Sequence, residues 1–102
     1  MNDTYQVVYS IEAEQDLVEI LVYGIQTWGE VQAESFYLDM QSKIETLKTQ
    51  PHRVCEKQLS NGRKVRDFML LDTPYRAPFI IDQKKQQVII LRILRTERIF
   101  KD

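Results

Sequence analysis

Seven residues near the C-terminal end, Val88-Ile89-Ile90-Leu91-Arg92-Ile93-Leu94, form an apolar run broken by one guanidinium. Strand alternation places Arg92 on the same face as Val88, Ile90 and Leu94. A cation in such a strand is either paired with a carboxylate or opened into a groove, because burying it alone costs several kcal/mol. Asp67 and Asp82, on neighbouring segments, are the structural partners this predicts; a functional role for Arg92 stands beside that reading. Arg95 and Arg98 follow in the exit segment, and Arg63, Lys64, Arg66 and Arg76 come from earlier segments. Together they make a basic patch suited to phosphates or to an acidic peptide. Tyr75, beside Arg76 after Thr73-Pro74, reads as a contact residue, a general acid or a turn tyrosine closing the core. The candidate contact set is therefore Arg92, Arg95, Arg98, Tyr75 and Arg76.

Other chemistries lack their signatures. Neither GxGxxG nor GxxxxGK[ST] occurs, and three glycines in the whole chain leave little from which to build a phosphate loop. One His and one Cys, His52 and Cys55, lie three residues apart and do not supply a tetrahedral metal site. His52 reads as a solvated loop residue. Cys55 reads as a small, partly buried side chain rather than a nucleophile, since only His52 offers it a base. No cofactor and no metal are expected, and no residue is assigned a catalytic role.

These residues must be positioned by a small scaffold. A chain of 102 residues has room for one domain, 1–102, with one modest core. Its 43% hydrophobic and 28% charged residues suit a folded domain. No apolar run approaches the ~18 residues that cross a bilayer, and no basic segment leads into an apolar stretch at the start. A cytoplasmic location without membrane contact is expected, and the lone cysteine fits a reducing compartment. The net charge of −1 conceals a division. Residues 1–51 hold nine Asp/Glu against two Lys/Arg, a net of −7, and residues 52–102 hold twelve Lys/Arg against six Asp/Glu, a net of +6. The division fits either attraction between the halves or a basic surface for an anionic partner.

Tyr5-Gln6-Val7-Val8-Tyr9-Ser10 is β-branched and aromatic and reads as a first strand. Ser10 is a helix N-cap candidate, with Glu12, Glu14 and Asp16 in the opening turns where negative charge opposes the helix dipole. Ile11, Ala13, Leu17, Ile20, Leu21, Gly24 and Trp28 then keep a helical period up to Gly29, a natural stop. Val31, Ala33, Phe36, Tyr37, Met40, Ile44 and Leu47 define a second helix ended by Pro51. So short a link folds the pair back as an antiparallel hairpin. Residues 51–63 read as a loop with a turn at Asn61-Gly62. Three strands follow, Lys64 to Leu71, Arg76 to Asp82 and Val88 to Leu94, as an antiparallel meander. Pro78 lacks a ladder donor and demands a bulge or a free edge. The predicted class is α+β, in the order β-α-α-β-β-β, with the helical hairpin on one face of a small antiparallel sheet and the other face, arginine-lined, left for partners.

The ordered set of motifs resembles the ParE branch of the ParE/RelE toxins over nearly the whole chain. Tyr9-Ser10-Ile11-Glu12-Ala13-Glu14-Gln15-Asp16-Leu17 is similar to that family's "S-x-x-A-x-x-D-L" helix opening. Trp28-Gly29-Glu30 and Gln32-Ala33 match at the hairpin, then Ile44, Leu47 and Pro51. Pro74-Tyr75-Arg76 and Val88 to Arg95 are similar to its "Y-R-[IV]" and "[VI]-x-I-L-R-[IV]-[LI]-H-x-R-R" strands. Arg95 replaces the family's common histidine, and Ala77-Pro78 replaces its apolar residues after Tyr-Arg. The resemblance implies the toxin of a type II toxin–antitoxin system, of the kind linked to plasmid stabilisation, that inhibits DNA gyrase without being a hydrolase. RelE-like relatives instead cleave mRNA in the ribosome. The tail Ile99-Phe100-Lys101-Asp102 offers no tyrosine or histidine acid for that chemistry. A third possibility is a non-toxic member that only binds its antitoxin. The implied partners are DNA gyrase and an antitoxin with a DNA-binding N-terminal part and a disordered C-terminal segment that folds on the toxin, so that operator DNA is met only through the antitoxin.

Overall fold

The computed structural model describes residues 4–98 and residue 100. Of the C-terminal tail, Ile99, Lys101 and Asp102 lie outside the described residues. Strand β1 (Gln6–Tyr9) leads into helix α1 (Ile11–Trp28), and helix α2 (Glu30–Glu45) follows after a single intervening residue, Gly29. Ser10 caps α1 as its sequence predicts: its Oγ accepts the Ala13 N–H at 3.0 Å and its hydroxyl donates to the Leu91 carbonyl at 2.8 Å. Gly29 takes φ +92°, a backbone conformation that side chains disfavour, and so lets the chain reverse within one residue. The two helices lie against each other where Gly24 meets Ala33. A Cβ built on Gly24 would stand 3.1 Å from the Ala33 Cβ, so the absence of a side chain sets the approach.

Beyond α2 the chain makes 3-10 turns at Thr46–Lys48 and Pro51–Arg53, then strand β2 (Glu56–Gln58). β2 falls inside the stretch read from sequence as loop. Strands β3 (Lys64–Met69), β4 (Tyr75–Asp82) and β5 (Gln87–Ile90) form the expected antiparallel meander. The sheet order is β1-β5-β4-β3-β2. β1 joins at the edge of β5 in parallel, with Val7 beside Val88 and Tyr9 beside Ile90, so the sheet is mixed. The helices connecting β1 to the meander return the chain to the same end of the sheet, which is what a parallel neighbour requires.

The third predicted meander strand is interrupted. β5 ends at Ile90, and a two-residue strand β6 (Leu94–Arg95) resumes pairing with β4, with Leu94 opposite Arg76 and Arg95 opposite Tyr75. Phe79 pairs with Ile90, so residues 91–93 stand opposite only Ala77 and Pro78, one residue too many. This is a bulge. The Pro78 carbonyl accepts the Leu91 N–H at 2.9 Å, which turns the donorless Pro78 nitrogen towards that same segment. The irregularity that Pro78 demands is thus carried by the strand facing it. One consequence is a correction: Leu94 does not share a face with Val88 and Ile90, because the extra residue reverses the alternation and puts Ile93 in the core instead.

The core lies between the hairpin and one face of the sheet: Ala13 and Leu17 from α1, Met40 and Ile44 from α2, Leu47, then Ala77, Phe79, Val88 and Ile90 from the strands. Three residues assigned to the buried stripes by periodicity are exposed, Ile11 at 72%, Val31 at 84% and Trp28 at 48%; each stands in the first or last turn of its helix.

Candidate functional site

The bulge determines where the arginines go. Arg92 keeps its orientation towards the helical side of the sheet, and at the end of β5 the element above it is the first half of α1. Its partner is accordingly Asp16, not Asp67 or Asp82. Arg92 Nε donates to Asp16 Oδ2 at 2.8 Å and an Nη2 hydrogen goes to Oδ1 at 3.0 Å, a two-point contact. Asp16 Oδ2 also accepts the Ile93 N–H at 2.8 Å, so one carboxylate fastens both the side chain and the backbone of the bulge. Asp67 faces the opposite side of the sheet, and Asp82 caps the turn after β4 by accepting the Lys85 N–H at 3.1 Å. The hydrogen bond to Asp16 holds the Arg92 guanidinium above its ordinary pKa, against the opposing effect of burial.

Arg95, one step past the bulge, projects on the helical side. Its Nε donates to Glu97 Oε1 at 2.7 Å, and its guanidinium carbon stands 5.9 Å from the centre of the Tyr75 ring. The bond to Glu97 raises the Arg95 pKa and lowers that of Glu97, both groups being open to solvent. Tyr75 itself is buried, with its ring 6.2 Å from Phe36, and closes the core at the start of β4. Arg98 is exposed; among the described residues its guanidinium makes no hydrogen bond and no ion pair within 4 Å, and its charge adds to that of Arg95 in lowering the Glu97 pKa.

Four members of the predicted contact set, Arg92, Arg95, Arg98 and Tyr75, therefore line one cleft of about 240 Å³ beside α1, where Asp16, Glu19 and Tyr23 form the opposite wall. Arg76 is not with them. It points to the other face of the sheet, is 7% exposed, donates to Asp67 Oδ2 at 2.8 Å and hydrogen-bonds the Arg98 carbonyl. The arginine surface is thus the seam between α1 and the bulge, not the bare side of the sheet. A second hollow of about 440 Å³ adjoins the cleft and shares Tyr23, Tyr75 and Arg95 with it; Trp28, Gln32, Phe36 and Pro74 complete its wall. Sequence periodicity counts Trp28 and Phe36 as core, yet Trp28 is 48% exposed. The available signal was Tyr23, an aromatic off the predicted buried stripe.

Among the described residues no group of three His, Cys, Asp or Glu is placed to hold a metal ion. His52 is exposed with its ring 6.0 Å from Tyr5, and Cys55 is exposed rather than partly buried as expected. No described helix is long and apolar enough to cross a membrane.

The fold that carries this cleft, a helical hairpin on one face of a mixed sheet, is α+β. Residues 7–100 match the family model of the ParE toxin of type II toxin–antitoxin system, parDE. The chain belongs to that family. Among solved structures it is similar to a chain of the chromosomal ParDE toxin–antitoxin system from P. aeruginosa, at 23% identity and a TM-score of 0.78, over 94% of this chain and 100% of that one. It is also similar to a chain of the RelBE2 toxin–antitoxin complex from Mycobacterium tuberculosis, at 19% identity and a TM-score of 0.59, over 96% and 98%. No curated protein matches the chain.

Proposed function

We propose that this chain is a cytoplasmic toxin that acts by direct contact with DNA gyrase, using the cleft between α1 and the bulge, and that a cognate antitoxin holds it inactive. The observation that carries the contact reading is the state of the arginines. Arg92 and Arg95 are each bonded to a carboxylate that raises their pKa, so they are fixed cations and not proton shuttles at neutral pH. Tyr75, which reaches the cleft from β4, is packed into the core, and His52 lies in the segment before β2, against Tyr5; the other titratable groups of the cleft, Tyr23 and Glu19, stand on the α1 wall facing the arginines. A ribose-cleaving site needs a group that takes and returns a proton within hydrogen-bond reach of its substrate. A surface that docks a protein needs none.

The antitoxin has its own surface available. Ile11, Val18, Val22 and Ile25 are exposed along another side of α1, an apolar stripe on which a segment that folds on binding could bury its own apolar face. We assign to that antitoxin a DNA-binding N-terminal part, through which the pair represses its own operon. Cleavage of mRNA on the ribosome, which the resemblance to RelE-like relatives implies, is the second reading; the fold, shared with a chain of the RelBE2 complex, is compatible with it. Expression of the protein alone separates them. A DNA-damage response with filamentation is expected; rapid arrest of translation with cut messages would replace gyrase by the ribosome, and unimpaired growth would leave a chain that only binds its antitoxin.

A further inference from the structure

The two adjoining hollows differ in chemistry. One is walled by Tyr23, Trp28, Phe36 and Tyr75, and the other carries three guanidiniums; Tyr75 and Arg95 stand between them. From these we infer that they form one bipartite peptide-reading site. The aromatic hollow takes a large apolar side chain of the target protein, and Arg98, with Arg95 beside it, takes a carboxylate within about one helical turn of that side chain. This rests on the contact reading proposed above and deepens it by stating what the target must present.

Two observations favour a polypeptide over a nucleic acid strand. The cleft is nearly neutral, since Asp16 and Glu97 neutralise Arg92 and Arg95 and Glu19 adds a further negative charge, whereas strand binding draws on a groove of net positive charge. The rings also meet edge to face, Tyr23 to Trp28 at 83° and Trp28 to Phe36 at 65°, which encloses a side chain and offers no stacked platform for successive bases. The carboxylate is assigned from Arg98, the exposed cleft guanidinium that makes no hydrogen bond and no ion pair within 4 Å among the described residues and feels Glu97 only at longer range. Target rather than antitoxin is assigned because the site is compact and lies on a different side of α1 from the long apolar stripe of Ile11, Val18, Val22 and Ile25, which suits the larger partner.

Trp28 is the single tryptophan of the chain and lines the aromatic hollow, so its fluorescence reports occupancy directly. The probes are soluble synthetic helical peptides, alanine-rich, with Leu and Glu one turn apart, alongside versions with Glu replaced by Lys or Leu replaced by Ala. Expected is a blue shift of Trp28 emission with the Leu/Glu peptide, and a loss of about tenfold or more in affinity, some 1.4 kcal/mol, on either peptide replacement. Arg98→Ala or Tyr23→Ala in the protein should weaken binding comparably; both side chains are exposed, and far-UV circular dichroism checks that the fold is retained. Equal binding of the Lys peptide, no change in Trp28 emission, or displacement by a mixed-sequence single-stranded RNA would overturn the inference. The same variants are then assayed on purified gyrase and on the antitoxin. Loss of gyrase inhibition together with loss of peptide binding supports it. Undiminished gyrase inhibition by both variants would overturn it and leave the gyrase reading intact, and so would loss of antitoxin binding alone. A wild-type protein that binds the Leu/Glu peptide as expected yet leaves gyrase untouched would remove gyrase as the target while the site's chemistry stood.

Discussion

Asp16 makes three hydrogen bonds across a sequence gap of more than seventy residues, and replacing it should loosen the bulge and the cleft together. In Asp16→Ala the Ile93 N–H, buried and otherwise unpartnered, loses its acceptor, which costs about 1–3 kcal/mol. The lost attraction to Arg92 adds only about 1 kcal/mol, because that side chain is 34% exposed and water screens and re-solvates it. A total of about 2–4 kcal/mol corresponds to a fall of roughly 1–2 M in the urea midpoint at a mid-range slope of ~2 kcal/mol/M. Asp16→Asn retains an oxygen for the Ile93 N–H and should cost only about 1 kcal/mol. The assay is urea unfolding followed by circular dichroism for the two variants, Arg92→Ala and the Asp16→Ala/Arg92→Ala double variant, with a coupling of about 1 kcal/mol expected from the cycle. Equal midpoints for Asp16→Ala and the wild type, or an Asn variant as damaged as the Ala variant, would refute the assignment of most of the cost to the backbone bond.

Three further outcomes follow from single contacts. Gly24→Leu drives a side chain into Ala33 at the closest approach of the helices and should destabilise by about 1–3 kcal/mol, read as a lowered thermal midpoint. Ser10→Ala removes both the N-cap of α1 and the bond to the Leu91 carbonyl, for a loss of about 1–2 kcal/mol in the same measurement. Burial, helped by nearby Glu45 and Tyr37, raises the Tyr9 phenol to about 12, above the ordinary 10.0. Its contribution is whole below pH ~10 and is lost as the pH rises towards ~12, on the order of 1–2 kcal/mol after discounting for a ring that is only partly buried. Ultraviolet titration should show a late-ionising phenol that is lost in Tyr9→Phe, whose stability falls less steeply in that window.

The hairpin was legible because its signals are local: Ser10, the 3.6-residue period, Gly29 and Pro51 all act within a turn or two of where they stand. β2 was not, since Glu56-Lys57-Gln58 is an exposed edge strand with no apolar alternation to reveal it. Pro78 announced a bulge but not which strand would carry it. Once the extra residue falls at 91–93, strand alternation gives the wrong face for Leu94. The Asp16 carboxylate could not be chosen over Asp67 or Asp82 because the choice depends on which helix covers the end of β5. Arg92, Arg95 and Arg98 were grouped along one segment and Tyr75 was added from the turn before Arg76, and the four line one cleft. Arg76 fails the grouping for a simple reason: it neighbours Tyr75 on one strand, so the two side chains point to opposite faces. The aromatic hollow was hidden because Trp28 and Phe36 obey the helical period of buried residues while lying at the open end of the hairpin.

Contact with the replication machinery is most directly tested by adding the purified protein, free of antitoxin, to purified DNA gyrase and relaxed plasmid. Expected is a dose-dependent block of supercoiling that Arg98→Ala weakens. Full supercoiling at every dose, with messages cut on ribosomes by the same preparation, would contradict it.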